Sequence, residues 1–461
     1  MRGCTKRVSF FLALVFIVAA ASLPAQRETL GRLVRQEQLA NGLTVIVSEN
    51  HVVPLVTVAV VVRTGAFTQE AADAGISHMY EHMLFRSYRA GEGGWDQEVA
   101  ALNASSNGST STESVSYHLV LPSRQVGTAI DMLARLVRDA YFDNTTLTLE
   151  RKVVLGEVER SLAEPLHHLQ TEVAKSSWGS SFSRKDALGT PESLRLIGSA
   201  RLKEIFQRYY VPNNAAVIVT GDVDAAQIFS LVKKSFEKWK RGLDPFVAHP
   251  VPAMVPLEQT KIAIIQADTR EVTVMLQWQG PSVETNTAAT YSADLFSNLL
   301  NSAGSSFQVR LVGSGLFQSV SMDYETLRHV GPITLTGVTT AANTERALTA
   351  LLGEMYKFEG DYFTDADLAK ARKRLKVASV FDLEQTAQRA HSIGYWWSVS
   401  GLDYYISYVD NLALRSANDL REFATRYIVD RPMSIGVLVS PGEAASVRAA
   451  VTKAFGLAGG K

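Results

Sequence analysis

The 461-residue sequence has one cysteine, Cys4. That scarcity excludes a disulfide framework and any cysteine nucleophile or Cys-based metal site in the body of the chain. An excess of either charge is missing too, since Lys+Arg and Asp+Glu both number 46. With no long basic run, nothing points to a nucleic-acid partner. Beyond residue 25 no stretch is apolar enough to span a bilayer. What remains, 46% hydrophobic and 20% charged, is an ordinary globular composition, long enough for more than one domain.

The first 25 residues are different. "MRGCTKR" carries Arg2, Lys6 and Arg7 and no acid, "VSFFLALVFIVAAA" follows, and "SLPAQ" ends the run. A basic head, a short apolar centre and a small-residue exit predict a secretory signal over 1–25, cut near Ala25–Gln26. The expectation is export to the periplasm with no stable membrane span after cleavage. An uncleaved N-terminal anchor is the alternative.

The rest alternates between helical and strand patterns. "LTVIV" follows the turn signal Asn41–Gly42, and "PLVTVAVVVRTG" (54–65) is apolar enough to be buried on both faces. Helical periodicity covers about 71–87, 95–102 and 125–140, and a long helix runs from about Thr145 until Pro165 interrupts it. "STESVSYHLVLP" (111–122) and "NNAAVIVTGDV" (213–223) read as strands. "AGEGGWD" (90–96) lacks the lysine of a phosphate loop and reads as a plain loop. "KRGLDPFVAHPVPAMVP" (240–256) has four prolines and little periodicity, which marks a linker. An internal echo follows. "LKEIFQRYYVPNNAAVIVTGDV" from Leu202 and "LREFATRYIVDRPMSIGVLVSPGE" from Leu420 both read helix, Arg-Tyr, turn with proline, strand. The fold class is therefore α+β, with two related domains, 30–243 and 259–461, joined by a linker over 244–258.

The chemistry concentrates in "GISHMYEHML" (75–84). On a helix His78 and His82 differ by about 40° around the axis, so both imidazoles leave one face, with Glu81 beside them. H-x-x-E-H is an order found in zinc proteases: two histidine ligands and a glutamate placed to take a proton from water. A catalytic zinc needs one further protein ligand and an open position. "LERKVVLGEVERSL" (149–162) offers Glu150, Glu157 and Glu159. Glu150 and Glu157 are about 20° out of register and share a face with Val153 and Val154, so that face should be buried. Glu159 points about 200° away from Glu157, toward solvent. Glu157 is the expected third ligand and Glu150 its support, orienting a ligand or balancing charge. The bland alternative is a chance motif beside a solvated glutamate helix. His167–His168 and Arg208–Tyr209 read as structural, and "GYWWSVSGLDYYISYV" (394–409) as core of the second domain.

These motifs resemble those of the pitrilysin-like zinc metallopeptidases, the inverzincins related to insulin-degrading enzyme and the mitochondrial processing peptidase. The likeness runs from "LANGLTVIVSEN" through "GAFTQEAADAGISHMYEHMLF" and "LERKVVLGEVERS" to "RYYVPNNAAVIVTGDV". It implies one Zn2+ per chain, bound by His78, His82 and Glu157, with Glu81 as the catalytic base. It also implies that two α+β domains form half of a clam-shell peptidase, the second domain lacking metal ligands. "NGSTSTESVSY" (107–117) is similar to the family's substrate-binding edge strand, which puts Asn107, Gly108 and Thr110 against extended peptide; glycine replaces the family's alanine at 108. In "SSFQVRLVGSGLFQSVSMDY" (305–324), Arg310 fits an arginine that grips substrate, but its tyrosine partner falls on Phe317 or Gln318. That departure leads to a heterodimer expectation, in which a homologous zinc-free subunit supplies an Arg–Tyr pair and the substrate is a peptide or unfolded segment. A non-catalytic structural or assembly subunit is the alternative, and the donor set also admits manganese or cobalt.

Overall fold

The structure, a computed structural model, describes residue 31 and residues 33–88, 94–381 and 384–456. The expected signal over 1–25 and residues 90–93 of the glycine-rich stretch lie outside the described residues; 94–96 open a helix, Gly94–Ala101, rather than a loop.

Two sheets carry the fold. The first contains β1 (Val34–Gln38), β2 (Thr44–Glu49), β3 (Leu55–Val62), β4 (Ser105–Thr110), β5 (Val115–Pro122) and β6 (Ala215–Gly221), in the order β1-β2-β6-β3-β5-β4. The second contains β7 (Lys261–Gln266), β8 (Val272–Gln279), β9 (Ser319–Tyr324), β10 (Pro332–Thr339) and β11 (Ser434–Val439), in the order β7-β11-β8-β10-β9. Without β1 the two orders superimpose. Each sheet has one parallel pair, β2 with β6 and β7 with β11, and is otherwise antiparallel. The echo noted in the sequence is the unit helix–strand–helix, Ser199–Tyr209, β6 and Ala225–Phe236 in one half, and Ala417–Tyr427, β11 and Ala444–Ala454 in the other.

Both faces of the central strands are covered, as the unbroken apolar runs require. On one face of the first sheet, Val45, Val47, Val58, Val60, Val217 and Val219 pack under helices of the same half. On the other, Ile46, Ala59, Val61 and Ile218 meet Ala390, Ile393 and Trp397 of the helix Thr386–Val399, which comes from the second half. The exchange is mutual. Leu169 and Val173 of the helix Pro165–Trp178 cover Ile265, Met275 and Leu438 of the second sheet. Gly436 makes that approach feasible, because a Cβ there would run into Val173 and Leu169. The aromatic stretch 394–409 is thus not simply core of the second half: Trp397 and Tyr405 seal the junction between halves, while Tyr404 enters the second core.

The expected helix over 71–87 begins only at Ile76, after a short 3-10 turn at Ala71–Asp73. The expected strand over 107–117 is two strands: β4 ends at Thr110, a turn spans 111–114, and β5 lies one position inside the sheet. The linker region includes a short helix, Pro245–Ala248. Among the described residues no helix is long and apolar enough to cross a membrane.

Candidate active site

Three elements build the site. The motif helix, Ile76–Ser87, has no side-chain cap from its N-cap residue Gly75. Buried Gln69 does that work instead, its Oε1 accepting the amides of Gly75 (3.1 Å) and Ser77 (3.2 Å) while its Nε2 donates to the carbonyls of Ser183 and Asp186. The glutamate helix, Asn144–Ala163, starts on Asp143, which accepts the Thr146 amide at 2.8 Å, and ends before Pro165. The third element is β4, at the edge of the first sheet and, among the described residues, paired on one side only, with β5.

His78 and His82 present Nε2 atoms each 3.5 Å from the same oxygen, Oε2 of Glu157. Their rings stand edge to face at 4.8 Å. These contacts are too long for good hydrogen bonds. They match the spacing of donor atoms around one ion, since ligands roughly 2.0–2.1 Å from a tetrahedral zinc stand about 3.4 Å apart. One ligand atom from each residue lies within 4.8 Å of the others, the one such cluster of His, Cys, Asp and Glu among the described residues. Burial, and then the neighbouring His82, hold the His78 imidazole down at about 4. It is therefore neutral near pH 7, the form that offers a lone pair to a metal. The donor set fits a zinc ion.

Around these three residues sits a supporting layer. Glu150, 7% exposed, places Oε2 3.3 Å from His82 Nδ1 and takes the Arg86 Nε–H on Oε1 at 3.0 Å. Glu81 faces the same cleft, and the Thr110 hydroxyl donates to its Oε2 at 2.7 Å. Burial raises the Glu81 carboxyl above the usual carboxylate range, and the Thr110 bond pulls it partly back. Gly108 leaves room for this glutamate: a Cβ there would lie 2.7 Å from Glu81 Oε1 and 2.9 Å from both Glu81 Cγ and Phe85 Cε2. A cleft of about 570 Å3 opens over the cluster, with Phe85, Trp95 and Asn107 in its walls. A larger recess of about 850 Å3, between Thr349–Tyr356 and Ile428–Met433, holds no histidine.

The structure thus brings together His78, Glu81, His82, Glu150, Glu157, Asn107, Gly108 and Thr110. Arg310 is not among them. It lies on the helix Ser306–Leu311 of the second half and pairs at 3.0 Å with Glu354, a buried carboxylate also bound by Lys357 and Tyr362. Phe317, 2% exposed, is core of the second half and touches Gly337, so no side chain at 317 reaches solvent. Val153 is 46% exposed rather than buried. The buried face of the glutamate helix centres on Leu147, Val154 and Val158, and the two glutamates stand at its border with Val153 beyond them. Glu159 is exposed, as its phase requires. Sequence reasoning missed Gln69 and Arg86, whose only signal is a polar residue next to a motif, and the contact of Thr110 with Glu81.

Comparison with known proteins gives a consistent family. Residues 44–186 match the family described as Insulinase (Peptidase family M16), and residues 197–375 match Peptidase M16 inactive domain. The chain is similar to Zinc protease PqqE of Helicobacter pylori, at 24% identity over 92% of this chain and 96% of that protein. It is 23% identical to the mitochondrial-processing peptidase subunit beta of Lentinula edodes over 89% of this chain and 91% of the relative. Among solved structures, a protease from Helicobacter pylori shares the fold with a TM-score of 0.77, at 22% identity over 88% of this chain and 99% of that one.

Proposed function

The chain belongs to the pitrilysin-like peptidase family, and we propose that it is an exported zinc-dependent endopeptidase acting on peptides or unfolded protein segments. The observation that carries this reading is the meeting of two imidazole nitrogens and a carboxylate oxygen beside the half-buried Glu81 at an open sheet edge. His78, His82 and Glu157 would hold the metal. Zinc, when bound, polarises a carbonyl oxygen and lowers the pKa of water. Glu81 accepts the proton from the attacking water and returns it to the leaving amine nitrogen. Its raised pKa suits both transfers, and the Thr110 hydroxyl keeps the carboxylate aimed into the cleft. Glu150, held by Arg86, fixes the His82 ring by its Nδ1. The outer edge of β4 takes the substrate as an added strand, which holds one peptide bond over the cluster. Backbone pairing of this kind selects extended chain rather than side-chain identity.

The division at 244–258 into two homologous domains, and the signal over 1–25, are part of the same proposal. So is a second subunit. Arg310 is engaged by Glu354 and Phe317 is buried, so a zinc-free homologue with an Arg–Tyr pair would complete the oxyanion-stabilising half of the site. A relative whose own name is that of a subunit supports the pairing. The test is metal content and peptidase turnover of the purified chain, alone and with a homologous zinc-free partner. Glu81→Gln should retain zinc and lose nearly all turnover. Full turnover by the chain alone would remove the need for a partner, and near-normal activity of Glu81→Gln would remove its role.

A further inference from the structure

The turn Ser111–Ser114 joins the edge strand β4 to β5, and its Glu113 is turned away from solvent, 3% exposed. The two carboxylate oxygens accept the backbone N–H groups of Arg328 (2.7 Å) and His329 (3.0 Å). Both belong to the loop between β9 and β10 of the second sheet. Lys185, in the first half, donates its Nζ to the carbonyl of Val330 in that loop and rests over the Trp178 ring at 4.7 Å. Its charge also attracts Glu113. Three consecutive backbone groups of the second half, at 328, 329 and 330, are therefore gripped by two charged side chains of the first. A buried carboxylate is costly unless its oxygens are hydrogen-bonded, and here both are.

The turn is pinned on its other side too. Ala66 and Phe67 donate their amides to the carbonyls of Ser111 (3.2 Å) and Thr112 (2.8 Å). The residue entering the turn is Thr110, whose hydroxyl holds Glu81 at 2.7 Å. We infer that Glu113 is a positioning residue for Glu81: the second half, through the 328–330 loop, sets the place of the β4–β5 turn and so of the Thr110 donor. The second half then serves the reaction of its own chain without lending a group to the cleft. This inference rests on the reading of Glu81 as the proton acceptor.

A double-mutant cycle separates positioning from mere glue between halves. Turnover of the full zinc-loaded chain, with any partner it needs, is measured for wild type, Glu113→Gln, Thr110→Val and the double variant, together with zinc affinity. Each single change should lower kcat about tenfold, the scale of one lost hydrogen bond to a charged group. Zinc affinity should not change, since the ligands lie on two helices outside the turn. In the Glu113→Gln background, Thr110→Val should cost less than about twofold, because the hydroxyl is already displaced. Effects that multiply, or a Glu113→Gln chain with wild-type kcat, overturn the role of Glu113. If Glu113→Gln fails to fold, Glu113→Asp runs the same cycle: it keeps the charge near Lys185 but draws the carboxylate back from the two amides. No turnover by the wild-type chain in any pairing would instead overturn the proposed function.

Discussion

Arg86 offers the sharpest test of how the proposed zinc ligands are held. It is a surface arginine, its side chain 54% exposed, yet its Nε–H fixes one oxygen of buried Glu150 at 3.0 Å while the other oxygen sits 3.3 Å from His82 Nδ1. Arg86→Met keeps the apolar stem and removes this donor. Glu150 then keeps its contact with His82 but can rotate about its last torsion. A hydrogen bond to a charged group contributes about 1.5–3 kcal/mol when shielded. Half-exposed Arg86 is partly replaced by water, so about 1 kcal/mol should reach the zinc equilibrium, a loss in affinity of about fivefold. Glu150→Ala removes the carboxylate that orients His82, and about 10–100-fold should be lost, as for other partners of ligating histidines. Glu157→Ala deletes a ligand and should lose more than either. The assay is competition for Zn2+ with a calibrated chelator at fixed pH, on folded protein verified by circular dichroism. Zinc binding by Glu150→Ala within twofold of wild type, or weaker binding by Arg86→Met than by Glu150→Ala, would refute this role of Glu150.

Other consequences are equally concrete. Gly108→Ala puts a methyl group within 3.0 Å of Glu81 and Phe85, so one of these side chains must give way; with Glu81 displaced, kcat should drop about tenfold with zinc affinity intact, and steady-state kinetics showing wild-type kcat would refute it. Zinc should raise the melting temperature of the wild type and not of Glu157→Ala, because an ion bound only by the folded state stabilises it by mass action; scanning fluorimetry with and without chelator reads this. His329, packed on the Phe67 ring at 5.3 Å, is held at about 4 by burial and by Lys185, Arg328 and Arg184. The unfolded chain binds that proton already near pH 6.5, so stability falls on acidification from about 6.5 to 4, by up to about 3 kcal/mol. Denaturant titrations of His329→Gln against wild type at pH 7 and pH 5 should show the difference shrinking at high pH and growing in favour of the variant at low pH. Asp143→Ala removes the cap of the glutamate helix and should cost about 1 kcal/mol in the same titration; no change would mean that the tertiary contacts alone hold that end.

Much of the site was legible because helical spacing is a property of the backbone. Residues four apart on one helix share a face, and residues seven apart nearly do, so the sequence alone pairs His78 with His82 and Glu150 with Glu157. The same phase did not say where burial stops, since that depends on what packs against the helix; hence Val153 was expected inside and lies outside. The apolar run 54–65 announced a strand covered on both faces, and β3 is one. It could not say what covers it. The helix over the second face comes from Thr386–Val399, more than 300 residues away, and no local pattern encodes that crossing. The strand read over 111–122 starts only at Val115, because 111–114 form the turn from β4, and β4 itself, all Ser, Asn, Gly and Thr, carries no apolar alternation to announce a strand.

The sequence by itself determined the candidate donor residues, their order along the chain and the α+β character of the fold, because each follows from residue type and short-range geometry. Only the tertiary structure decided which partners hold those donors. Gln69 between the motif helix and residues 183–186, Arg86 on Glu150, Thr110 on Glu81 and Glu113 on the 328–330 loop are contacts that join segments apart in sequence. Such contacts form when a buried amide, hydroxyl or carboxylate would otherwise lack a partner, and that condition exists only once the segments have packed; for Glu113 it requires the second half to lie against the first.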